Sequence, residues 1–365
     1  MENTTPRART AGGKAGLGPK YDFSRLSVLI AEDSGPARTL LAGALGDLGV
    51  GHVRSVSSAG AAIEYLKNTR PKDDRWAHNH PVDILITDFE MEPVDGLTLL
   101  KWVRCHADSP NRFMRISLMS GSVSWERVTQ GRNAGANALF AKPFTLKGLR
   151  DHLNGLIRSE RPFVHVKSYF GPDRRRDKAD AVLSERRGPD MRSEVLGEGL
   201  RPYFGWFALP NYLERIATGT DRGDINYFDL ADAHARLKPF SQDYGDWVLD
   251  DLVTVRRAFD LMREAPAERD MRLNDMRRTV DRIARQSPAL GYPLMMQVAR
   301  SLAGILNFSG MDYGRFEKTV RVHLKVMDTI AASKLQTDAG EAGRAVLAQL
   351  GQAASSLTHR TGVVR

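Results

Sequence analysis

A chain of 365 residues, 42% hydrophobic and 27% charged, is long enough for two domains with ordinary cores. Its single cysteine, Cys105, excludes an internal disulfide framework and a thiolate metal cluster; a packing role in a reducing cytoplasm is expected. The net charge of +9 is spread along the chain, a weak signal for nucleic acid, and no stretch has the apolar length for a secretion signal or a membrane span.

Residues 1–22 read as a disordered tail, and residues 23–158 as the first domain. Short apolar runs there alternate with helical periodicity: LSVLIA (26–31), HVRSV (52–56), VDILITD (82–88), FMRISLMS (113–120) and ALFAK (138–142). Between them, leucines and alanines recur at helical spacing, as at Leu40, Leu41, Ala44, Leu45 and Leu48. Strands alternating with helices predict an α/β domain, a five-stranded parallel doubly wound sheet covered on both faces.

In such sheets the chemistry gathers beyond the carboxyl ends of the strands. Strand one ends in Glu32-Asp33, strand three in Asp88, strand four in Ser120-Gly121 and strand five in Lys142-Pro143. Three carboxylates brought to one edge are unfavourable unless a cation neutralises them or protons do. Mg²⁺ suits them, because it accepts one or two carboxylates, a carbonyl and waters, and keeps positions for phosphoryl oxygens. With Lys142 and the Ser120 hydroxyl nearby, a carboxylate beside the metal can act as a nucleophile toward phosphorus. Asp88, from the central strand, suits that part, and the Glu32-Asp33 pair suits the metal.

The stretches VLIAEDS, ILITDFEMEPVDG, LMSG and ALFAKPF resemble, in order and spacing, the receiver domain of two-component response regulators, the CheY-like, flavodoxin-like fold. The resemblance implies Asp88 as phosphoacceptor, Asp33 as main Mg²⁺ ligand, Glu32 as its acidic partner and Glu90 as a ligand through its backbone carbonyl. It implies that Ser120 bonds the phosphoryl group, that Lys142 pairs with it, and that the Lys142-Pro143 bond is cis. Two positions depart from the family pattern: Glu92 stands where proline is usual, and Leu139 where the aromatic switch residue is usual, with Phe140 beside it.

Residues 159–202 lose periodicity and carry Arg174, Arg175, Arg176, Arg186 and Arg187 among Pro, Gly and acids, so an arginine-rich linker is expected. From 203 to 365 the chain reads as an α-helical bundle, its apolar spacing clear around Val248–Phe259, Leu273–Ile283, Leu294–Ile305 and Phe316–Ile330, with a last helix over 340–357. LGYPL (290–294) is similar to the turn of histidine phosphotransfer domains, but Asp281 and Ala284 hold the places of the active histidine and lysine, which implies a degenerate copy. His323 is expected to be a packing or surface histidine.

The expected function is that of a cytoplasmic phosphorelay response regulator and phosphoprotein. It takes a phosphoryl group on Asp88 from a sensor histidine kinase or phosphotransfer protein, and signals to the helical region or a downstream protein partner. It is not expected to be an enzyme beyond its own phosphorylation and dephosphorylation, and a homodimer is compatible with the bundle. The alternatives are a DNA-binding transcriptional regulator, for which no basic recognition helix stands out, and a receiver fused to a phosphotransfer-like module without its histidine.

Overall fold

The computed structural model describes residues 21–69, 81–174 except 123, 167 and 168, 205–220 except 208 and 210, and 227–350 apart from short breaks. The expected tail over 1–20, the arginines Arg175, Arg176, Arg186 and Arg187, and the end of the expected last helix lie outside the described residues.

Five strands, β1 (Ser27–Ala31), β2 (His52–Val56), β3 (Ile84–Asp88), β4 (Arg115–Ser120) and β5 (Ala138–Ala141), pair in parallel in the order β2-β1-β3-β4-β5. β1 is buried at every residue and β3 at all but Asp88, which is why both read as unbroken apolar runs. Edge strand β2 stays half-exposed and reads as HVRSV. Five helices flank the sheet: α1 (Gly35–Asp47), α2 (Ala59–Lys67), α3 (Gly96–Cys105), α4 (Trp125–Ala134) and α5 (Leu146–Arg158). Local chemistry starts most of them: Ser58, Asp95, Ser124 and Thr145 each accept a backbone N–H from the first turn of the helix that follows. α4 ends at Gly135, whose φ of +97° is the left-handed cap that glycine adopts without strain.

Two expectations are corrected beyond the sheet. Part of the expected linker is a β-hairpin, β6 (Phe163–Val166) with β7 (Tyr169–Pro172), and β8 (Gly205–Phe207) pairs with β6 to complete a three-stranded antiparallel sheet. Strands of three or four residues are too short to print a period of two on the sequence. What holds them is Phe113, whose ring meets Phe163, Phe170 and Phe207 edge-on at centroid distances of 5.1, 5.3 and 5.4 Å. Tyr21 and Asp22, read as the end of the tail, are also part of the fold: the Tyr21 hydroxyl donates to Glu214 at 2.8 Å, and the Asp22 N–H to the Ala217 carbonyl.

The rest is mostly helical: α6 (Tyr212–Thr218), α7 (Tyr227–Leu237), α8 (Tyr244–Glu264), α9 (Arg269–Gln286), α10 (Pro293–Leu306) and α11 (Tyr313–Ala332). α6 belongs to the first domain's core, where Leu213 and Ala217 join Leu153 and Ile157. α8 to α11 each pack on the next, and α11 returns to α8, closing a ring of four. Val248, Leu252, Val280, Ile283, Val298, Leu302, Val320 and Met327 fill it, the positions that the helical spacing marks. His323 is buried there, its Nδ1 against the Thr319 carbonyl and its Nε2 against the Ser301 hydroxyl, while Asp281 is exposed on α9.

The bundle seats against α3. The Gln242 N–H donates to the Cys105 carbonyl at 3.0 Å, and the buried Gln286 amide donates to Asp95 at 3.0 Å. The apolar residues of α3 and of the bundle form one continuous core. Among the described residues, no helix is long and apolar enough to cross a membrane.

Candidate functional site

β1 and β3 lie side by side with Ala31 opposite Thr87, so the residues that follow them meet at the carboxyl edge of the sheet. Carboxylate oxygens of Glu32, Asp33 and Asp88 lie within 4.8 Å of one another. Glu32 is 2% exposed, Asp33 is exposed and Asp88 lies between the two. Lys142 reaches in from the end of β5, its Nζ 2.5 Å from Glu32 Oε2 and 3.0 Å from Asp88 Oδ2. Arg38 of α1 donates to the carbonyls of Glu32 at 2.7 Å and Asp33 at 3.3 Å, which fixes the backbone carrying the two acids.

The charges in this pocket are interdependent. Burial pushes the Glu32 carboxyl up and Asp88 adds to the push, while the hydrogen bond from Lys142 and its charge oppose it. Burial alone would lower the Lys142 ammonium, but bonds to Glu32 and Asp88 outweigh it and hold the group above its ordinary value. One ammonium thus faces three acids. A cluster of carboxylate oxygens with one open, solvent-facing side is the donor set a hard divalent cation requires.

Strand ends are tied to one another around the pocket. The Phe89 N–H donates to the Met119 carbonyl at 2.7 Å, and the Lys142 N–H to the Ser120 carbonyl at 2.8 Å. Ser120, 1% exposed, donates its hydroxyl to the Ser122 carbonyl at 2.7 Å and accepts from Arg127 Nη1 at 3.0 Å. The other arm of Arg127 pairs with the Glu90 carboxylate, and its guanidinium lies 5.0 Å above the Phe89 ring. Arg127 is absent from the sequence reading. It sits seven residues beyond Ser120, and its place in the first turn after the Ser124 cap is the one local signal that could have marked it.

The structure brings together five of the six expected site residues, Glu32, Asp33, Asp88, Ser120 and Lys142; Glu90 adjoins them with its exposed side chain held by Arg127. The Lys142-Pro143 bond is cis, as expected, and Glu92-Pro93 is cis as well. Leu139, where an aromatic residue was the familiar choice, packs so closely on α4 that a Cβ on Gly131 would lie 2.9 Å from its Cδ1. Phe140 faces the other side of β5, stacked on His152 at 4.5 Å. Glu92, in the loop after Asp88, forms an ion pair with Arg285 of the bundle.

A cavity of about 560 Å³ lies at the opposite edge of the sheet. Its lining mixes Asp83 and Glu160 with Arg25, Arg115 and Arg161, so it selects no one ligand charge.

Sequence comparison agrees with this geometry. Residues 28–154 match the family described as the response regulator receiver domain, about a third of the chain. Chemotaxis protein CheY-3 of Vibrio cholerae is 26% identical over 132 residues, covering 36% of this chain and 92% of that protein. A probable chemotaxis protein CheY of Rhizobium etli is 29% identical over 126 residues, covering 34% and 88%. Among solved structures, a putative response regulator from Chloroflexus aurantiacus is 28% identical with a TM-score of 0.31, covering 36% of this chain and 98% of its own. The carboxyl-edge acids, the lysine that joins them and the matched sequence together make residues 28–154 a response regulator receiver domain.

Proposed function

We propose that Asp88 is the phosphoacceptor of a phosphorelay response regulator, charged by a sensor histidine kinase or a phosphotransfer protein. The observation that carries this reading is the Asp88 carboxylate, clustered with Glu32 and Asp33 and bonded by Lys142 at 3.0 Å. A carboxylate oxygen of Asp88 attacks phosphorus, the bond from phosphorus to the donor's nitrogen or oxygen breaks with its electron pair leaving on the donor, and an acyl phosphate forms. Asp33 and Asp88, with Glu32 behind them and the Glu90 carbonyl, would hold Mg²⁺, which when bound offsets the charge of the incoming phosphoryl oxygens. Lys142 orients Asp88 beforehand and stays protonated throughout, since two acids hold its proton. Ser120 supplies a hydroxyl at the adjacent strand end.

The output belongs to contacts rather than to a second reaction. The loop between Asp88 and α3 is gripped by the bundle through Glu92–Arg285 and Asp95–Gln286, so a change at Asp88 has a direct route into α9 and from there to a protein partner.

Incubation with Mg²⁺ and acetyl phosphate tests the reading. Wild type is expected to take up base-labile label, and Asp88→Asn none. Equal labelling of both proteins, or none in wild type, would sink the assignment.

A further inference from the structure

We propose that Arg127 is a phosphoryl-binding residue, a guanidinium that leaves Glu90 and Ser120 to bond the phosphoryl group on Asp88 and draws the amino end of α4 with it. The inference rests on the reading of Asp88 as phosphoacceptor. Among the described residues, the groups that the Arg127 guanidinium touches are neighbours of Asp88. Phe89, under the guanidinium, is the next residue; Glu90 is two residues on; and Ser120 ends the strand in which Met119 is paired with Asp88.

Charge balance gives the guanidinium its reason to move. Lys142 is already shared between Glu32 and Asp88, and a phosphoryl group adds close to two negative charges and three acceptor oxygens. Of the two arginines described above at this edge, Arg38 is engaged by the backbone carbonyls of Glu32 and Asp33. Arg127 is held on one side by a Glu90 carboxylate that is 70% exposed, and a surface ion pair of that kind is weak. A phosphoryl dianion in the pocket offers the planar fork of a guanidinium more charge and better geometry.

The same transfer removes one restraint on Ser120: its oxygen loses the bond from Arg127, while its hydrogen still donates to the Ser122 carbonyl. Arg127 lies in the first turn of α4, so its displacement moves that helix directly, without an aromatic residue at Leu139. Trp125, 78% exposed at the start of α4, reports such a movement.

Beryllofluoride with Mg²⁺, a stable stand-in for the phosphoryl group, probes this in the full chain, with bound fluoride followed by ¹⁹F NMR. Arg127→Gln is expected to bind about tenfold more weakly than wild type, the scale of one lost charge-assisted hydrogen bond. Arg127→Lys should fall between them. Glu90→Gln, which removes the competing carboxylate, should bind more tightly and still fold if Arg127→Gln does not. On saturation, acrylamide quenching assigned to Trp125 by difference from Trp125→Phe should change in wild type and stay constant in Arg127→Gln. Binding by Arg127→Gln as tight as or tighter than wild type would show that Arg127 only restrains Ser120, and overturns the proposal. Failure of wild type to bind overturns the phosphoacceptor reading and this inference with it.

Discussion

Arg104 is the residue whose place is least expected from its chemistry. It is 1% exposed on α3, and its guanidinium donates to the carbonyls of Gly135, Arg112 and Met114 and to Asn137 Oδ1, four oxygens with no formal charge. Burial lowers it to about 9, still charged at neutral pH. Arg104→Met would relieve the buried charge but take its bonds from the carbonyls of Gly135, Arg112 and Met114, while Asn137 Oδ1 keeps the Ile116 N–H, so it should destabilise the protein by about 3 kcal/mol, read from the urea midpoint; an unchanged midpoint would mean that the desolvation cost already cancels the bonds. His152 is a second hidden titrating group, half-buried against Phe140 and bonded to the Ser117 hydroxyl at 2.7 Å, with burial pushing it down to about 4. A depressed histidine binds fewer protons folded than unfolded, so its contribution is complete above about 6.5 and is lost as pH falls from there toward 4. His106, His165 and His323 are lowered by burial too and act in the same direction. Asp83, pushed up to about 7 by burial, and the raised Glu32 and Asp251 act in the opposite direction, so the check is a difference between proteins: over that window the urea midpoint of wild type should lose more, or gain less, than that of His152→Gln, which keeps a partner for Ser117 without titrating. Neither residue was legible beforehand, because an arginine or histidine on an amphipathic helix reads as a surface group until its neighbours are known.

Among the elements, the turn from β3 into α3 joins the acid pocket to the bundle. Gly96 opens α3, donating its N–H to the Phe89 carbonyl, and a Cβ there would come within 1.9 Å of the Asp88 carbonyl oxygen. No side chain fits without moving the backbone of Asp88. Gly96→Ala should thus retain the helical circular dichroism of the bundle while reducing acetyl phosphate labelling on the order of a hundredfold, the scale that a misplacement of about 1 Å can cost; normal labelling would show that the loop relaxes freely. On the far side of the same turn, Asp95 caps α3 through the Thr98 N–H at 2.7 Å and takes the Gln286 amide on its other oxygen. That Gln286 reaches it could not be read, since 191 residues separate them.

For the molecule as a whole, the shared core of α3 and the bundle is the feature with thermodynamic consequences. Leu99, Trp102 and Val103 belong to the same apolar cluster as Trp247, Val248 and Ile283, so unfolding either part exposes the other's buried surface, each large side chain worth roughly 1.5–3 kcal/mol. Calorimetry should show one cooperative transition; two well-separated transitions would mean that the parts are energetically independent. The amino-acid sequence by itself determined the parallel sheet, the four bundle helices and the strand-end residues Glu32, Asp33, Asp88, Ser120 and Lys142, because each is written in local periodicity or in position at the end of an apolar run. Only the tertiary structure decided the short antiparallel sheet around Phe113, the burial of Arg104, the seating of α9 on α3 and the reach of Arg127 to Ser120 and Glu90. Those depend on contacts between distant segments, and a contact of that kind leaves no period in the sequence, only residues whose partners the fold supplies.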